Sequence, residues 1–268
     1  MNEDMNGTKK KTGLVLSGGG VRGMAHIGAI QALEEQGIFP EVISGSSAGA
    51  VVGALYSHGY SPAEMKRFFA ETPLFHISRF AFGKPGFING QYLEKVEYCK
   101  PGFIDTDKFF KDFVKYFRVD DFNNLKKRLY VTTVDMLKGE KRIFSEGQLI
   151  RPLLASSAFP GLFSPVCIDE VLYADGGILD NFPIDPIATK VDRLVGSYVS
   201  PLDAIQAESL KYSVNVLERA IRINYSKRSR RKFDACDILF QPAKLGDYGL
   251  FDVNKLDDIY QIGYESAP

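Results

Sequence analysis

The sequence predicts an α/β fold in three layers, with helices on either side of a mostly parallel central sheet. One observation is local: "TGLVLSGGG" at 12–20 is a short apolar run stopped by glycines, and helically spaced "VRGMAHIGAIQALEEQG" follows it. The second is its recurrence, because "EVISGSSAGAVVGALYSHG" at 41–59 has the same strand, loop, helix order. Two such units within the first sixty residues are the mark of parallel strands joined by crossover helices. The third sets the size: 268 residues, 45% of them hydrophobic, supply one large core. A single domain is therefore expected over 12–268, behind a disordered polar arm at 1–11.

The elements follow in order. The first strand ends before the glycines at 18–20, and its helix stops at Gly37. A second strand at 42–44 leads into a helix ending at Gly59. From about 61 to 122 the chain is an aromatic excursion, broken by Gly and Pro and lacking a sustained period. Within it "TDKFFKDFVKYF" sets Phe109, Phe110, Phe113, Val114 and Phe117 on one helical face, the pattern of a core-facing stripe. "RLYVTTVDM" and "KRIFS" read as a strand pair around "LKGE", and "LIRPLLASSAF" as a helix. "VCIDEVLYADGG" reads as a hairpin turning at Asp169 and Glu170, and "RLVGSYVS" as a strand. A long helix within 209–233 and a strand in "CDILFQP" complete the set.

Charge and cysteine content remove several function classes. Lys+Arg and Asp+Glu both total 33, so no global field draws the chain to nucleic acid. Cys99, Cys167 and Cys236 are widely spaced, with no CxxC and no Cys/His cluster. That argues against a disulfide framework and against a metal site, and fits a reducing compartment. The first thirteen residues lack the apolar core of a signal peptide, and no run of about 18 apolar residues occurs. The expectation is a cytoplasmic protein.

The chemistry concentrates in three short stretches. Gly45, Ser46, Ser47, Ala48 and Gly49 match G-x-S-x-G, where a tight strand-to-helix turn holds a serine exposed and helix-end amides face a developing anion. A packing turn with an N-cap serine is the other reading. The usual base is missing: the histidines are His26, His58 and His76, and none follows a downstream acid. His58 lies eleven residues along the helix that Ser47 starts, roughly 16 Å away at 1.5 Å per residue. His26, one turn into the first helix, is expected to pack and hydrogen-bond. A base for Ser47 would then be a carboxylate, and Asp175, at a strand end before Gly176 and Gly177, is the candidate. D-G-G is also a plain turn signal, and Asp180 and Asp185 read as cap or turn acids. The third stretch, Gly18, Gly19, Gly20, Val21, Arg22 and Gly23, satisfies G-x-G-x-x-G. A dinucleotide reading needs an acid at the end of the second strand, where this chain has Ser44-Gly45. The same amides serve as an oxyanion hole, with Arg22 adding charge or fixing the loop.

In this order, "GGGVRG" (18–23), "GSSAG" (45–49), "ASSAFPGLFSP" (155–165) and "DGG" (175–177) resemble the patatin-like phospholipase family, as do "GxxH" at 23–26 and "GY" at 263–264. The resemblance implies a patatin-like fold, hydrolysis of acyl esters, Ser47 as nucleophile, Asp175 as base and the amides of 19–21 as oxyanion hole. It implies no cofactor and no metal, and a lipid or long-chain ester as substrate. An acyltransferase or thioesterase on the same pair is the alternative, and a noncatalytic nucleotide- or phosphate-binding module a more distant one. Leu74, Phe75, Ile77, Phe80, Phe82, Phe87 and Ile88 would either hold an acyl chain as a lid or fill the excursion's own core. Lys227, Arg228, Arg230, Arg231 and Lys232 read first as a solvated helix end, and second as a peripheral membrane contact.

Overall fold

The computed structural model describes residues 10–75, 104–210 and 213–266. β1 (Thr12–Leu16) sits inside an eight-stranded sheet, between β2 (Val42–Ser46) and β7 (Arg193–Ser197). The remaining strands are β3 (Arg128–Asp135), β4 (Glu140–Phe144), β5 (Val166–Ile168), β6 (Val171–Asp175) and β8 (Ile238–Phe240). The strand order is β5-β6-β3-β2-β1-β7-β8, with β4 also paired to β3. The run β3-β2-β1-β7-β8 is parallel throughout, and the antiparallel pairings of β4, β5 and β6 lie at the β3 flank. Helices α1 (Met24–Glu35) and α2 (Ala48–His58) are the two crossovers expected from the repeated pattern. α3 (Pro62–Glu71), α4 (Phe110–Tyr116), α5 (Ile150–Ser156), α6 (Ser213–Arg230) and α7 (Leu256–Glu265) complete the helices among the described residues.

Alternation along the parallel strands separates two cores. Leu14, Leu16, Ile43 and Val195 join one cluster with Ile27, Ile30, Val51 and Leu55 of α1 and α2. Val15, Val42 and Leu194 join another with Phe182, Ile184 and Ile187. Successive side chains point to opposite faces, so both faces of the sheet are buried. That is why these strands read as unbroken apolar runs.

Several boundaries differ from the sequence reading. β2 continues past Ser44, because Gly45 and Ser46 pair with Val131 and Thr132. α3 lies where no regular element is expected; Ser61 accepts from the Glu64 amide while Glu64 accepts from the Ser61 amide, and Pro62 opens the first turn. Along α4 and its two flanking residues, Phe109, Phe113 and Phe117 recur every fourth residue and are buried, whereas Val114 falls off that face and is 39% exposed. The hairpin turns at Asp169 and Glu170 as expected, with φ of 48° and 65°. Of the expected N-terminal arm, residues 1–9 lie outside the described residues, and the Lys11 amide donates to Asp192 Oδ2 at 2.9 Å.

The register brings the three sequence motifs together. Leu16, the last residue of β1, is level with Gly45 and Ser197. β2 pairs with β3 as far as Ser46 opposite Thr132, and β6 takes up β3 at the next residue, with Asp175 opposite Thr133. The turn after β2 and the end of β6 thus rest on consecutive residues of β3.

Candidate active site

Ser47 occupies the bend between β2 and α2 with φ 53° and ψ −129°, a region that non-glycine residues rarely enter. Its amide donates to Ser156 Oγ at 2.8 Å, and Ser156 Oγ donates in turn to the Thr132 carbonyl at 2.7 Å. These bonds hold a conformation that costs on the order of 1–3 kcal/mol. The flanking glycines are required by proximity. A Cβ on Gly45 would lie 2.6 Å from the Gly49 backbone, and one on Gly49 2.3 Å from the Leu16 carbonyl oxygen. The N-cap reading of Ser47 is not realised, since its side chain caps no amide of α2.

That side chain instead donates to Asp175: Ser47 Oγ to Asp175 Oδ2 is 2.7 Å. The other carboxylate oxygen, Oδ1, accepts from the Gly177 amide at 2.8 Å. Asp175 is 5% exposed. Burial pushes its carboxyl up from 3.8 to about 6, and the bonds from Ser47 and Gly177 pull against that rise. A carboxylate of this kind is a better proton acceptor near neutral pH than a solvated one.

Facing this pair is the glycine loop after β1, and a Cβ on Gly18 would lie 3.0 Å from that of Ser47. Its carbonyls are pinned inward. Ser200 Oγ donates to the Gly18 carbonyl at 2.7 Å, with Asn181 Nδ2 at 3.4 Å. The Gly19 carbonyl accepts from the Arg22 amide and from Arg22 Nε, each at 3.2 Å. Among the described residues no peptide bond is cis. In a trans peptide the N–H opposes the C=O, so pinning these two carbonyls turns the amides of Gly19 and Gly20 the other way. Neither amide has a partner among the described residues, and both glycines line the cleft that holds Ser47 and Asp175.

The structure narrows the expected oxyanion set. The amides of Gly18, Val21 and Arg22 are engaged by the carbonyls of Asn181 (3.2 Å), Leu250 (2.9 Å) and Gly19 (3.2 Å). Gly23 serves packing, since a Cβ there would lie 3.0 Å from that of Ala48. Arg22 is fully buried, its guanidinium lowered to about 10 by burial and by Arg222, and its Nε braces the loop rather than facing the cleft.

His26 has the packing role expected of it. The Ser17 carbonyl at 2.8 Å can only accept, so Nε2 carries the proton and Nδ1 accepts from Ser197 Oγ at 2.7 Å. Burial lowers its pKa to about 4. His58 stacks on Tyr60 at the far end of α2, and His76 lies outside the described residues. Asp180 and Asp185 are ion-paired with Lys141 and Lys232, which takes Lys232 out of the solvated basic run.

The cleft wall is apolar: Leu74, Phe75, Phe159, Phe163, Ile221 and Phe251. Leu74 and Phe75 thus line the cleft, while Ile77, Phe80, Phe82, Phe87 and Ile88 fall outside the described residues. The room inside this partly open cleft is about 60 Å³, space for a few waters. Among the described residues no group of three or more His, Cys, Asp or Glu is placed to hold a metal ion. Among them, too, no helix is long and apolar enough to cross a membrane.

The profile of the patatin-like phospholipase family matches residues 14–188. Lysophospholipase nte1 of Aspergillus fumigatus is 26% identical over 283 residues, covering 95% of this chain and 18% of that protein. Lysophospholipase NTE1 of Kluyveromyces lactis is 27% identical over 278 residues, covering 94% of this chain and again 18% of the relative. The chain therefore spans less than a fifth of the length of these curated relatives. Among solved structures, VipD from Legionella pneumophila aligns with a TM-score of 0.48 at 16% identity, covering 98% of this chain and 68% of that one.

Proposed function

The chain belongs to the patatin-like phospholipase family, and from that premise we propose that it is a lipid acyl hydrolase acting through Ser47 and Asp175. The observation that carries the proposal is the direct 2.7 Å bond from Ser47 Oγ to Asp175 Oδ2, with no imidazole between them. Asp175 takes the hydroxyl proton as Oγ attacks the ester carbonyl carbon. The carbonyl oxygen, now anionic, meets the amides of Gly19 and Gly20 and the N-terminal end of α2. Asp175 returns the proton to the leaving alcohol, leaving an acyl-serine. Water then attacks the acyl carbon, giving its proton to Asp175, and the fatty acid leaves as Ser47 regains its hydrogen.

The substrate class we infer is a lysophospholipid or similar long-chain ester, which suits the apolar wall and the named activity of the relatives. We take residues 12–268 as one catalytic unit: Ser200, Tyr225 and Leu250, all beyond the matched span, reach the loop or the cleft. The unpaired Cys167 and Cys236 suit a cytoplasmic setting.

The test is intact-mass labelling with a fluorophosphonate followed by peptide mapping, together with hydrolysis of an ester chain-length series. The adduct is expected on Ser47. Ser47→Ala and Asp175→Asn should each lower hydrolysis by roughly 10⁴-fold or more while the fold survives. An adduct elsewhere, or a folded Asp175→Asn protein of ordinary activity, ends the proposal.

A further inference from the structure

α6 borders the cleft with one face, and among the described residues its other face is exposed. Glu218, Ile221 and Tyr225 line the cleft, while Val216, Leu217 and Ile223 are 50%, 37% and 47% exposed. At 100° per residue the exposed positions Val216, Leu217, Ala220, Ile223, Asn224, Lys227, Arg228 and Arg230 fall on one continuous outer face. Apolar side chains occupy its first turns, and Lys227, Arg228 and Arg230 its last, with exposed Arg231 just beyond. No carboxylate lies on it, and the one acid of the helix, Glu218, points inward to Arg222. In a chain of zero formal charge this is a local concentration of positive charge next to exposed aliphatic surface. The face adjoins the cleft: Leu217 lies against Gly161, and Arg228 Nη2 reaches the carbonyl of cleft residue Ile178 at 3.4 Å.

We propose that the outer face of α6 is a docking surface for an anionic lipid bilayer. Aliphatic side chains on a helix that also carries basic residues partition into the head-group boundary, and the cations add attraction to acidic lipids. A protein partner would be expected to complement the cations with its own acids, but it gives no reason for the aliphatic surface to border an apolar cleft. Seated this way, the cleft opens toward the membrane and an acyl ester enters it without crossing water. The proposal rests on the lipid-hydrolase reading only for the choice of partner.

The experiment uses full-length Ser47→Ala protein, so that binding is read without turnover. It is sedimented with vesicles of phosphatidylcholine alone, or with about 30 mol% phosphatidylglycerol, in about 0.1 M salt. Binding is expected to the acidic vesicles and to fall as salt rises. Val216→Glu/Ile223→Glu and Lys227→Glu/Arg231→Glu, all exposed positions whose replacement leaves the fold intact, should each weaken it more than ten-fold. In the wild-type background the same pairs should leave hydrolysis of a soluble short-chain ester unchanged. Equal binding by wild-type and variant faces, no binding to either vesicle, or a concentration-dependent dimer that Val216→Glu dissolves would overturn the proposal. Because binding is read without catalysis, failure of the Ser47 assignment would appear in the labelling experiment and not here.

Discussion

Asp175 sets the conditions under which the proposed chemistry runs. Its proton must be off before it can accept another, and burial holds that ionisation at about pH 6 instead of 3.8. The kcat/KM for a neutral ester is therefore expected to fall ten-fold per pH unit below about 6 and to level off above it. A pH profile checks this, and a limb near 4 would mean that Asp175 is not the base. The same burial has a cost. A carboxyl whose folded value lies above its unfolded one contributes stability at low pH that is lost as pH rises through about 6, amounting to about 3 kcal/mol at pH 7. Asn in its place can still accept from Gly177, so Asp175→Asn should raise the melting temperature at pH 7 by several degrees while activity is lost. Ser47 and Asp175 were legible because each stands beside glycines at a strand end. Ser156, Asn181, Ser200 and Leu250, which hold the bend and the loop, were not. A hydroxyl, an amide or a carbonyl that meets its partner across more than a hundred residues leaves no periodicity behind.

Between elements, the crossing of α1 and α7 shows how a site's support can be written as two glycines. A Cβ on Gly28 would lie 2.2 Å from the Tyr260 carbonyl oxygen, and one on Gly263 2.0 Å from that of Ala25. The helix backbones touch there, and Tyr264 Oη donates to Glu35 Oε2 at 2.6 Å to lock the crossing. α1 begins where the glycine loop ends, so α7 fixes the loop from behind. Gly263→Ala must push the helices apart and is expected to lower stability by about 1–3 kcal/mol in urea unfolding. Gly37→Asn, at φ 75° with nothing within 4 Å, should be nearly neutral and serves as the control. Equal losses would mean that close approach is not the reason for Gly263. The "GY" at 263–264 was visible as part of a resemblance, but its reason needed the neighbouring helix. α3 is the opposite case, since Ser61, Pro62 and Glu64 spell a helix start that the aromatic texture around them hides.

At the level of the whole molecule, the parts that could be read were those whose pairing is local: two strand-helix units that dictate parallel neighbours. What could not be read is the sharing of β3 between β2 and β6, which places Asp175 beside Ser47 through strand partners that are distant in the sequence, Ser46 with Thr132 and Thr133 with Asp175. One consequence of the assembled fold concerns its global stability. His26 joins α1 to the ends of β1 and β7 as a neutral imidazole, held at about 4 against an ordinary 6.5. A base whose folded value is depressed contributes stability that is full above 6.5 and is lost as pH falls toward about 4. Asp175 runs the other way, relieving its burial cost as pH falls through about 6. Between pH 7 and 5 the two changes are about 2 kcal/mol lost and about 1.4 kcal/mol gained, so they largely cancel. Relative to the wild-type protein over that interval, His26→Gln should gain about 2 kcal/mol of stability and Asp175→Asn should lose about 1.4 kcal/mol. Urea unfolding at the two pH values reads both. If the variants shift in the same direction, the opposed ionisations of His26 and Asp175 do not exist.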